Sequence, residues 1–253
     1  MGTEGEGLKD RQTETPKSEG TCRLCGKDFA GRVMAKHLAK CRAAHADAAP
    51  GGGKLKRERV YHLLVEGRGA AQYWMHIDIA ASAALSDLDM FLRKTWLECC
   101  GHMSQFTIAG RRYASCGPDK ELECVGMNIS MADILAHKDK FYHEYDFGTT
   151  TSLSLKVVTI CEAIMARVVR LLARNYPPKI PCQSCGAPAV RVCAVCLWEG
   201  EAWFCERCAE NHDCENSGDT FLPVVNSPRV GMCGYEGSAE DRPRGGWVYV
   251  GGK

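Results

Sequence analysis

A run of paired cysteines near the C-terminus constrains this chain more than any other feature of its sequence. Three Cys-x-x-Cys pairs are followed by a histidine and one more cysteine: Cys182/Cys185, Cys193/Cys196, Cys205/Cys208, His212 and Cys214. Structural zinc takes four thiolate or imidazole ligands in a tetrahedron, and a two-residue spacing lets one turn direct two thiolates at the same ion. The eight ligands therefore predict a module that is folded around two zinc ions.

These eight ligands can pair in two ways, and both stay open at this point. Sequential pairing puts the first two pairs in one site and the third pair with His212 and Cys214 in the other. Interleaved pairing, which resembles the cross-brace of B-box-like modules, joins the first pair to the third and the second pair to His212 and Cys214. We favour the interleaved form because it ties a short segment with little apolar core into one unit. Cys233 is an alternative to Cys214 as the eighth ligand.

The zinc predicted here is structural. A catalytic zinc keeps one coordination position open for water or substrate. In this segment eight protein ligands fill the positions of both ions, and six of them lie in closely spaced pairs. We therefore expect both ions to stabilise the fold and to take no part in chemistry.

A second cysteine motif, near the N-terminus, predicts a third zinc ion in a CCHC-type finger. Its ligands are Cys22, Cys25, His37 and Cys41. His37 and Cys41 are separated by one helical turn, so both can face the same ion. Phe29 and Met34 lie where such a finger keeps its small apolar core. The whole chain is thus expected to hold three zinc ions.

Cysteine usage and hydropathy also bear on location. The chain has 16 cysteines in 253 residues. Its polar N-terminal segment lacks the apolar stretch of a signal peptide, and no apolar run approaches the ~20 residues that a membrane span needs. Without an export signal, so many cysteines indicate metal ligation in a reducing cytoplasm. We expect a cytoplasmic protein with no membrane partner.

The charge is unevenly distributed and predicts two kinds of partner. Residues 21–68 carry 11 Lys and Arg against 4 Asp and Glu, whereas residues 182–214 carry 2 Arg against 5 acidic residues. We expect the basic half to bind nucleic acid through phosphates and the acidic module to bind protein, although a solvated basic surface is the alternative. The candidate phosphate contacts are Arg32, Lys36, Lys40, Arg57 and Arg59.

Sequence-specific reading of DNA by this finger is not expected. A zinc finger reads bases from helix positions −1, 3 and 6. Those positions fall on Ala30, Val33 and Lys36, of which only Lys36 can donate a hydrogen bond. Binding should therefore depend on salt and only slightly on base sequence.

The remaining sequence predicts an α+β fold, with a sheet and short helices between the two zinc modules. Alternating apolar residues indicate strands around residues 60–80, 102–110 and 141–160, and apolar residues at 3,4 spacing indicate a helix that is capped by Ser86. Residues 162–174 fit either a helix or a last strand. We expect a disordered tail (1–20), the finger (21–43), a basic linker (44–59), the α+β domain (60–176), the binuclear module with a tail (177–237) and a flexible C-terminus (238–253).

Two stretches carry a resemblance to a known family. They are YHEYDFGTTTSLSLKV at residues 142–157 and NSPRVGMCGY at residues 226–235. In these, and more loosely over residues 20–237, the chain resembles the longer members of the plasmid pRiA4b ORF-3-like family, often labelled transposon passenger proteins. The resemblance implies an α+β core and an origin in a prokaryotic cell or mobile element, and it implies no particular activity. Thr149 stands where many members have an acidic residue.

An enzyme of unknown class is the alternative to a non-enzymatic binding protein. Its site would lie on the Phe141–Phe147 hairpin, where Glu144 and Asp146 are two residues apart on a strand and so share a face. A solvated strand face explains the same pattern. No basic residue adjoins Cys99 and Cys100 in sequence, so a nucleophilic thiol is not expected. No phosphate loop, dinucleotide fingerprint or nucleophile elbow is present, and we expect a non-enzymatic zinc protein.

Overall fold

The computed structural model describes residues 18–45, 57–118, 123–214 and 220–238, and within them the fold is α+β, as predicted. The strands of the large sheet are β1 (Glu19–Cys22), β2 (Asp28–Ala30), β3 (Arg57–Gly67), β4 (Ala70–Ala80), β5 (Ser104–Ile108), β6 (Arg111–Ala114), β7 (Cys124–Gly126), β8 (Lys140–Tyr145), β9 (Thr151–Ile164) and β10 (Val169–Asn175). A small sheet holds β11 (Arg191–Cys193), β12 (Trp203–Phe204) and β13 (Phe221–Pro223). Most of the predicted tail, most of the predicted linker and nearly all of the predicted flexible C-terminus lie outside the described residues. Where they are described, the predicted bounds were wrong, because residues 19–20 belong to β1 and residues 57–59 begin β3.

The large sheet has ten described strands in the order β2-β1-β10-β4-β3-β9-β8-β5-β6-β7. Its described pairings are antiparallel except for β6 with β7, which is parallel. Period-two alternation explains the strands at its centre, because β8 buries Phe141, His143 and Tyr145 on one face. The ambiguous segment at residues 162–174 holds no helix: it contains the end of β9 at Ile164, a turn at residues 165–168 and most of β10, which pairs with β4.

The described residues form four short helices, of which the first packs on one face of the large sheet and the second on the other. They are α1 (Gly31–Ala44), α2 (Leu85–Leu92), α3 (Met131–Ile134) and α4 (Glu206–Ala209), with a wider turn at Arg93–Leu97 and a 3₁₀ turn at Cys196–Trp198. Helix α2 begins at Leu85, and its first turn is capped by Asp87, whose carboxylate accepts from the Ala84 N–H at 2.9 Å. Leu88 and Leu92 from α2 and Trp96 from the following turn are fully buried in the main core.

The N-terminal finger is built into the large sheet. Strand β1 pairs with β10, where Gly20 lies opposite Asn175. An added Cβ at Gly20 would overlap the backbone of Arg174, so this close approach of two strands requires glycine. Helix α1 buries Met34 and Leu38 in a second apolar cluster.

A buried carboxylate fastens α1 to the sheet. Asp78 on β4 has no exposed side-chain surface and accepts hydrogen bonds from Arg42 on α1 and from Arg170 on β10, each at 2.7 Å to Oδ2. Arg42 also donates to Oδ1. Three elements that are distant in sequence thus converge on one charge, and the finger helix has a fixed orientation on the sheet.

Candidate metal centres

The structure brings the twelve predicted zinc ligands together in three sets. The sets are Cys22, Cys25, His37 and Cys41; Cys182, Cys185, Cys205 and Cys208; and Cys193, Cys196, His212 and Cys214. Within each set the ligand atoms all lie within 4.8 Å of one another. The C-terminal sets are interleaved, because the first pair joins the third and the second pair joins His212 and Cys214.

The finger set has the dimensions of a tetrahedral zinc site. A Zn–S bond of about 2.3 Å places two sulfurs about 3.8 Å apart around the ion. The Sγ atoms of Cys22 and Cys41 are 3.8 Å apart, and Cys25 Sγ lies 3.4 Å from His37 Nε2. The ring of Phe29 stacks on the His37 imidazole at 3.8 Å between centroids, which holds that ligand in place.

The C-terminal sets have similar dimensions. Cys185 Sγ lies 3.6 Å from Cys205 Sγ in the first set. In the second set Cys196 Sγ lies 3.4 Å from His212 Nε2, and the imidazole packs against Phe204 at 4.4 Å. These spacings fit four-coordinate zinc with thiolate and imidazole ligands.

Local sequence explains how two of the pairs are formed. Both are followed by a glycine with positive φ, Gly26 at 71° and Gly186 at 74°. In each turn this glycine donates its N–H to the carbonyl of the first cysteine, Cys22 or Cys182, at 2.8 Å. Glycine adopts this left-handed conformation without a Cβ clash, so the turn closes and both thiols face one side.

The ionisation of the thiols favours a divalent cation. Backbone N–H groups, that of Cys205 foremost, lower the pKa of the Cys182 thiol to about 6. Neighbouring thiols do the opposite, since hydrogen bonding and charge from Cys205 and other cysteines raise the pKa of Cys208 to about 12. Several thiols in one set therefore cannot all ionise unless a cation compensates their charge, as zinc does.

A fourth set contains Cys99, Cys100, His102 and Cys233. Sequence spacing does not predict this set, because His102 and Cys233 are 131 residues apart. The structure places Cys233 here, and Cys214 rather than Cys233 lies with Cys193, at 3.9 Å between their Sγ atoms. The adjacent Cys99 and Cys100 with His102 were the only local signal. Together the four sets can each hold a metal ion, and their ligands are those of zinc.

The predicted phosphate contacts fall in two places. Arg32, Lys36 and Lys40 are exposed on α1. Arg57 and Arg59 lie at the start of β3, where Arg59 is opposite Glu162 on β9.

The structure does not bring Glu144 and Asp146 to a common face. Strand β8 ends at Tyr145, and Asp146 has a φ of 63°. Asp146 is buried and accepts hydrogen bonds from Arg229 at 2.7 Å and Thr149 at 2.6 Å, whereas Glu144 accepts from Gln105 at 2.7 Å. Although burial raises it, the bonds from Thr149 and Arg229 hold the pKa of Asp146 well below its usual range.

Buried histidines of the sheet are paired with other side chains, whereas His102 Nε2 lies 3.5 Å from Asp146 Oδ2. His143 is fully buried, and its Nε2 lies 2.7 Å from Asp89 Oδ1. His76 is also buried, with its Nδ1 2.9 Å from His62 Nε2. An open cleft of about 900 Å³ in the described part of the chain includes Asp89 and Arg93 in its lining, but neither Glu144 nor Asp146. Glu144 and Asp146 thus do not share a face, and the enzyme alternative on the Phe141–Phe147 hairpin stays a prediction.

Among the described residues no helix combines the length and the apolar character needed to cross a membrane.

Comparisons with known proteins give a distant structural match. No protein-family model matches the chain, and no curated protein matches it. Among solved structures, the chain is similar to a protein of unknown function, MM3350 from Methanosarcina mazei Go1, with 17% sequence identity. The match covers 51% of this chain and 75% of that chain, with a TM-score of 0.40. At this distance the likeness carries no argument about function, and membership of the pRiA4b ORF-3-like family stays a prediction.

Proposed function

We propose that this protein is a non-enzymatic, zinc-stabilised binding protein that holds nucleic acid through phosphate contacts on the outer face of α1. The observation that carries the proposal is a row of three exposed cations, Arg32, Lys36 and Lys40, on a helix whose opposite face is anchored. The resemblance to the pRiA4b ORF-3-like family supports an origin in a prokaryotic cell or mobile element.

The row has a regular spacing. Residues four apart on a helix lie on one face and about 6 Å apart along the axis. Arg32, Lys36 and Lys40 therefore form a stripe of positive charge about 12 Å long. No hydrogen bond or ion pair within the described residues engages these three side chains, so they remain available to phosphates.

The inner face of α1 gives this row a rigid support. Met34 and Leu38 are fully buried against the sheet, and His37 and Cys41 belong to the finger set. Arg42 is turned inward to Asp78 and is therefore not a phosphate contact. A rigid helix loses little conformational entropy on binding, which favours its use as a binding surface.

Little base selectivity accompanies this surface. Val33 is exposed and Ala30 partly exposed at two of the positions from which a finger reads bases, and neither side chain can hydrogen-bond to a base edge. We therefore expect binding to DNA with little preference for any one base sequence.

The test measures binding of fluorescently labelled duplex DNA and single-stranded RNA by anisotropy at several salt concentrations. Three phosphate contacts predict a slope of log K against log salt of about −2.7 on duplex DNA. Lys36→Glu combined with Lys40→Glu should abolish binding. Lys94→Glu combined with Lys179→Glu makes the same charge change at two exposed sites away from α1 and should leave most of the affinity. Equal loss in both double variants, or no binding by the intact protein at low salt, would refute the proposal.

A second candidate function rests on one exposed side chain of the C-terminal module. Trp198 is 68% exposed and follows Val195, which is 37% exposed. The exposed Glu199 and Glu201 follow Trp198 in the chain. Tryptophan is enriched among the side chains that dominate protein interfaces, and nearby carboxylates would suit a basic segment of a partner protein. Trp198→Ala should then weaken capture of a lysine-rich peptide at low salt, whereas Val190→Ala, a change at another exposed apolar residue, should not.

A further inference from the structure

The fourth set of metal-binding side chains is partly exposed and shares no ligand with the three predicted zinc sites. Cys100 Sγ lies 2.9 Å from His102 Nε2 and 3.7 Å from Cys233 Sγ. His102 Nε2 is in turn 3.2 Å from Cys233 Sγ, and Cys99 Sγ is 3.3 Å from Cys100 Sγ. Three thiols and one imidazole nitrogen thus surround a common point.

The nitrogen of His102 is crowded by anionic or acceptor groups. Besides the two thiols, Asp146 Oδ2 lies 3.5 Å from the same Nε2. A single N–H points at one acceptor, so it cannot satisfy all three neighbours. A cation between the nitrogen and the sulfurs accounts for this arrangement, because it attracts every one of these groups.

Backbone geometry prepares one half of the site. The segment after the turn Arg93–Leu97 reverses at Gly101, which has a φ of 79°. The Gly101 N–H donates to Glu98 Oε1 at 2.6 Å, and the His102 N–H donates to Tyr145 Oη at 3.3 Å. These bonds fix the backbone that carries Cys99, Cys100 and His102.

The other half comes from the tail that follows β13. Val225, Val230 and Tyr235 are buried in the main core, so this tail is packed on the domain. Its exposed Cys233 has a φ of 46°, a conformation that is uncommon outside glycine and that directs the thiol to the set.

Arg229 supplies the outer shell of the site. Its side chain is fully buried, and one terminal nitrogen donates to Cys99 Sγ at 3.3 Å and to Asp146 Oδ2 at 2.7 Å. Three thiolates around a divalent ion leave one excess negative charge, and a donor on a ligating sulfur stabilises it. The two motifs that carry the family resemblance meet here, since Asp146 belongs to the first and Arg229 and Cys233 to the second.

We propose a further zinc site, the clasp, which joins the tail after β13 to the core and is formed by Cys99, Cys100, His102 and Cys233. Thiolate and imidazole ligands in a four-coordinate set select zinc over the hard divalent cations. Cys100 and Cys233 are exposed, whereas each other set keeps at least one ligand buried. The clasp is therefore the site from which a chelator removes zinc first, and its loss loosens the tail around Cys233 while the other modules keep their metal.

The test begins with metal analysis of the full-length protein that has been purified under reducing conditions. We expect four zinc ions per chain, one for each set, and one fewer in Cys233→Ser and in Cys100→Ser. Cys116→Ser changes an exposed cysteine outside every set and should keep the wild-type count. Because buried apolar residues hold the tail independently, Cys233→Ser should fold. Its amide hydrogen exchange should rise at residues 231–237 and stay unchanged in the large sheet.

The difference between variant and wild type decides the proposal, whatever the absolute count. If the wild type holds three zinc ions per chain and Cys233→Ser holds two, the clasp binds zinc and one of the other three sets does not. If Cys233→Ser and Cys100→Ser both retain the wild-type count, the clasp does not bind zinc. Substitution with Co²⁺ gives a separate readout, since loss of a thiolate ligand weakens the thiolate-to-cobalt absorption in both variants and not in Cys116→Ser. None of these measurements depends on nucleic-acid binding by α1.

Discussion

Removal of the Asp78 carboxylate should destabilise the attachment of the finger helix to the sheet. In Asp78→Ala the guanidinium groups of Arg42 and Arg170 lose their shared partner. Asp78 has no exposed side-chain surface, whereas the side chains of Arg42 and Arg170 are 14% and 36% exposed. The carboxylate therefore makes its contacts in a desolvated environment, and the two arginines can partly recover hydration after it is removed.

The expected magnitude follows from the number of contacts. A hydrogen bond to a charged group contributes about 1.5–3 kcal/mol, and breaking a buried ion pair by removal of one partner costs about 3–5 kcal/mol. Since both arginines reach water, we expect Asp78→Ala to lower the free energy of unfolding by about 3–4 kcal/mol. Arg42→Ala should cost less, about 1–3 kcal/mol, because Asp78 keeps Arg170.

Urea denaturation with excess zinc, followed by tryptophan fluorescence, measures these changes. Trp74 is a useful reporter because it lies in the apolar cluster under α1 and donates its indole N–H to Ser18 at 2.9 Å. Glu162→Ala, at an exposed position of β9, is the control and should stay within about 0.5 kcal/mol of the wild type. A loss below about 1 kcal/mol in Asp78→Ala, with unchanged hydrogen exchange in α1, would show that the buried carboxylate does not anchor the finger.

Three further predictions concern pH, packing and metal. Burial lowers the pKa of His62 and of His76 to about 3, so the stability that they contribute is full above pH 6.5 and falls as the pH drops from 6.5 towards 3, by up to about 1.4 kcal/mol per pH unit for each. In the double variant His62→Gln, His76→Gln the urea denaturation midpoint should therefore depend less on pH than in the wild type. An equal pH dependence of the two midpoints would contradict this. Gly20→Val should disrupt the pairing of β1 with β10 by overlap with the Arg174 backbone and lower the free energy of unfolding by about 1–3 kcal/mol or more in the same urea assay. Cys185→Ser should lower the zinc count by one and raise proteolysis within residues 182–214 while the large sheet stays intact, because metal binding and folding are coupled in such modules; an unchanged count would remove Cys185 from the ligand set.

Much of the fold class follows from local patterns. Alternation along FYHEYDF predicts strand β8, and 3,4 spacing of apolar residues predicts α2, because each pattern places apolar side chains on one face of its element. The segment at residues 162–174 shows the limit of this reasoning. Its apolar residues suit both a helix and a strand, and pairing of β10 with β4 on one side and β1 on the other decides for the strand.

The predicted zinc ligands show a similar division. A Cys-x-x-Cys-Gly turn closes through its own backbone, so the pairs Cys22/Cys25 and Cys182/Cys185 can be predicted from a few residues. The choice between sequential and interleaved pairing depends on which pairs the small sheet brings together. Likewise, Arg42 has the sequence environment of a phosphate contact, and only the position of Asp78 on β4 shows that it is used inside the protein.

The order of residues alone predicts an α+β protein with closely spaced sets of zinc ligands, because helix and strand periodicity and the turns that pair two thiols depend on contacts between near neighbours. Three features become visible in the assembled fold alone: the finger joins the large sheet, Asp146 turns inward to Arg229, and Cys233 contacts His102 across 131 residues. The physical reason is that burial, charge pairing and ligand geometry depend on distance in space, and the order of residues along the chain does not specify that distance until the sheet has assembled.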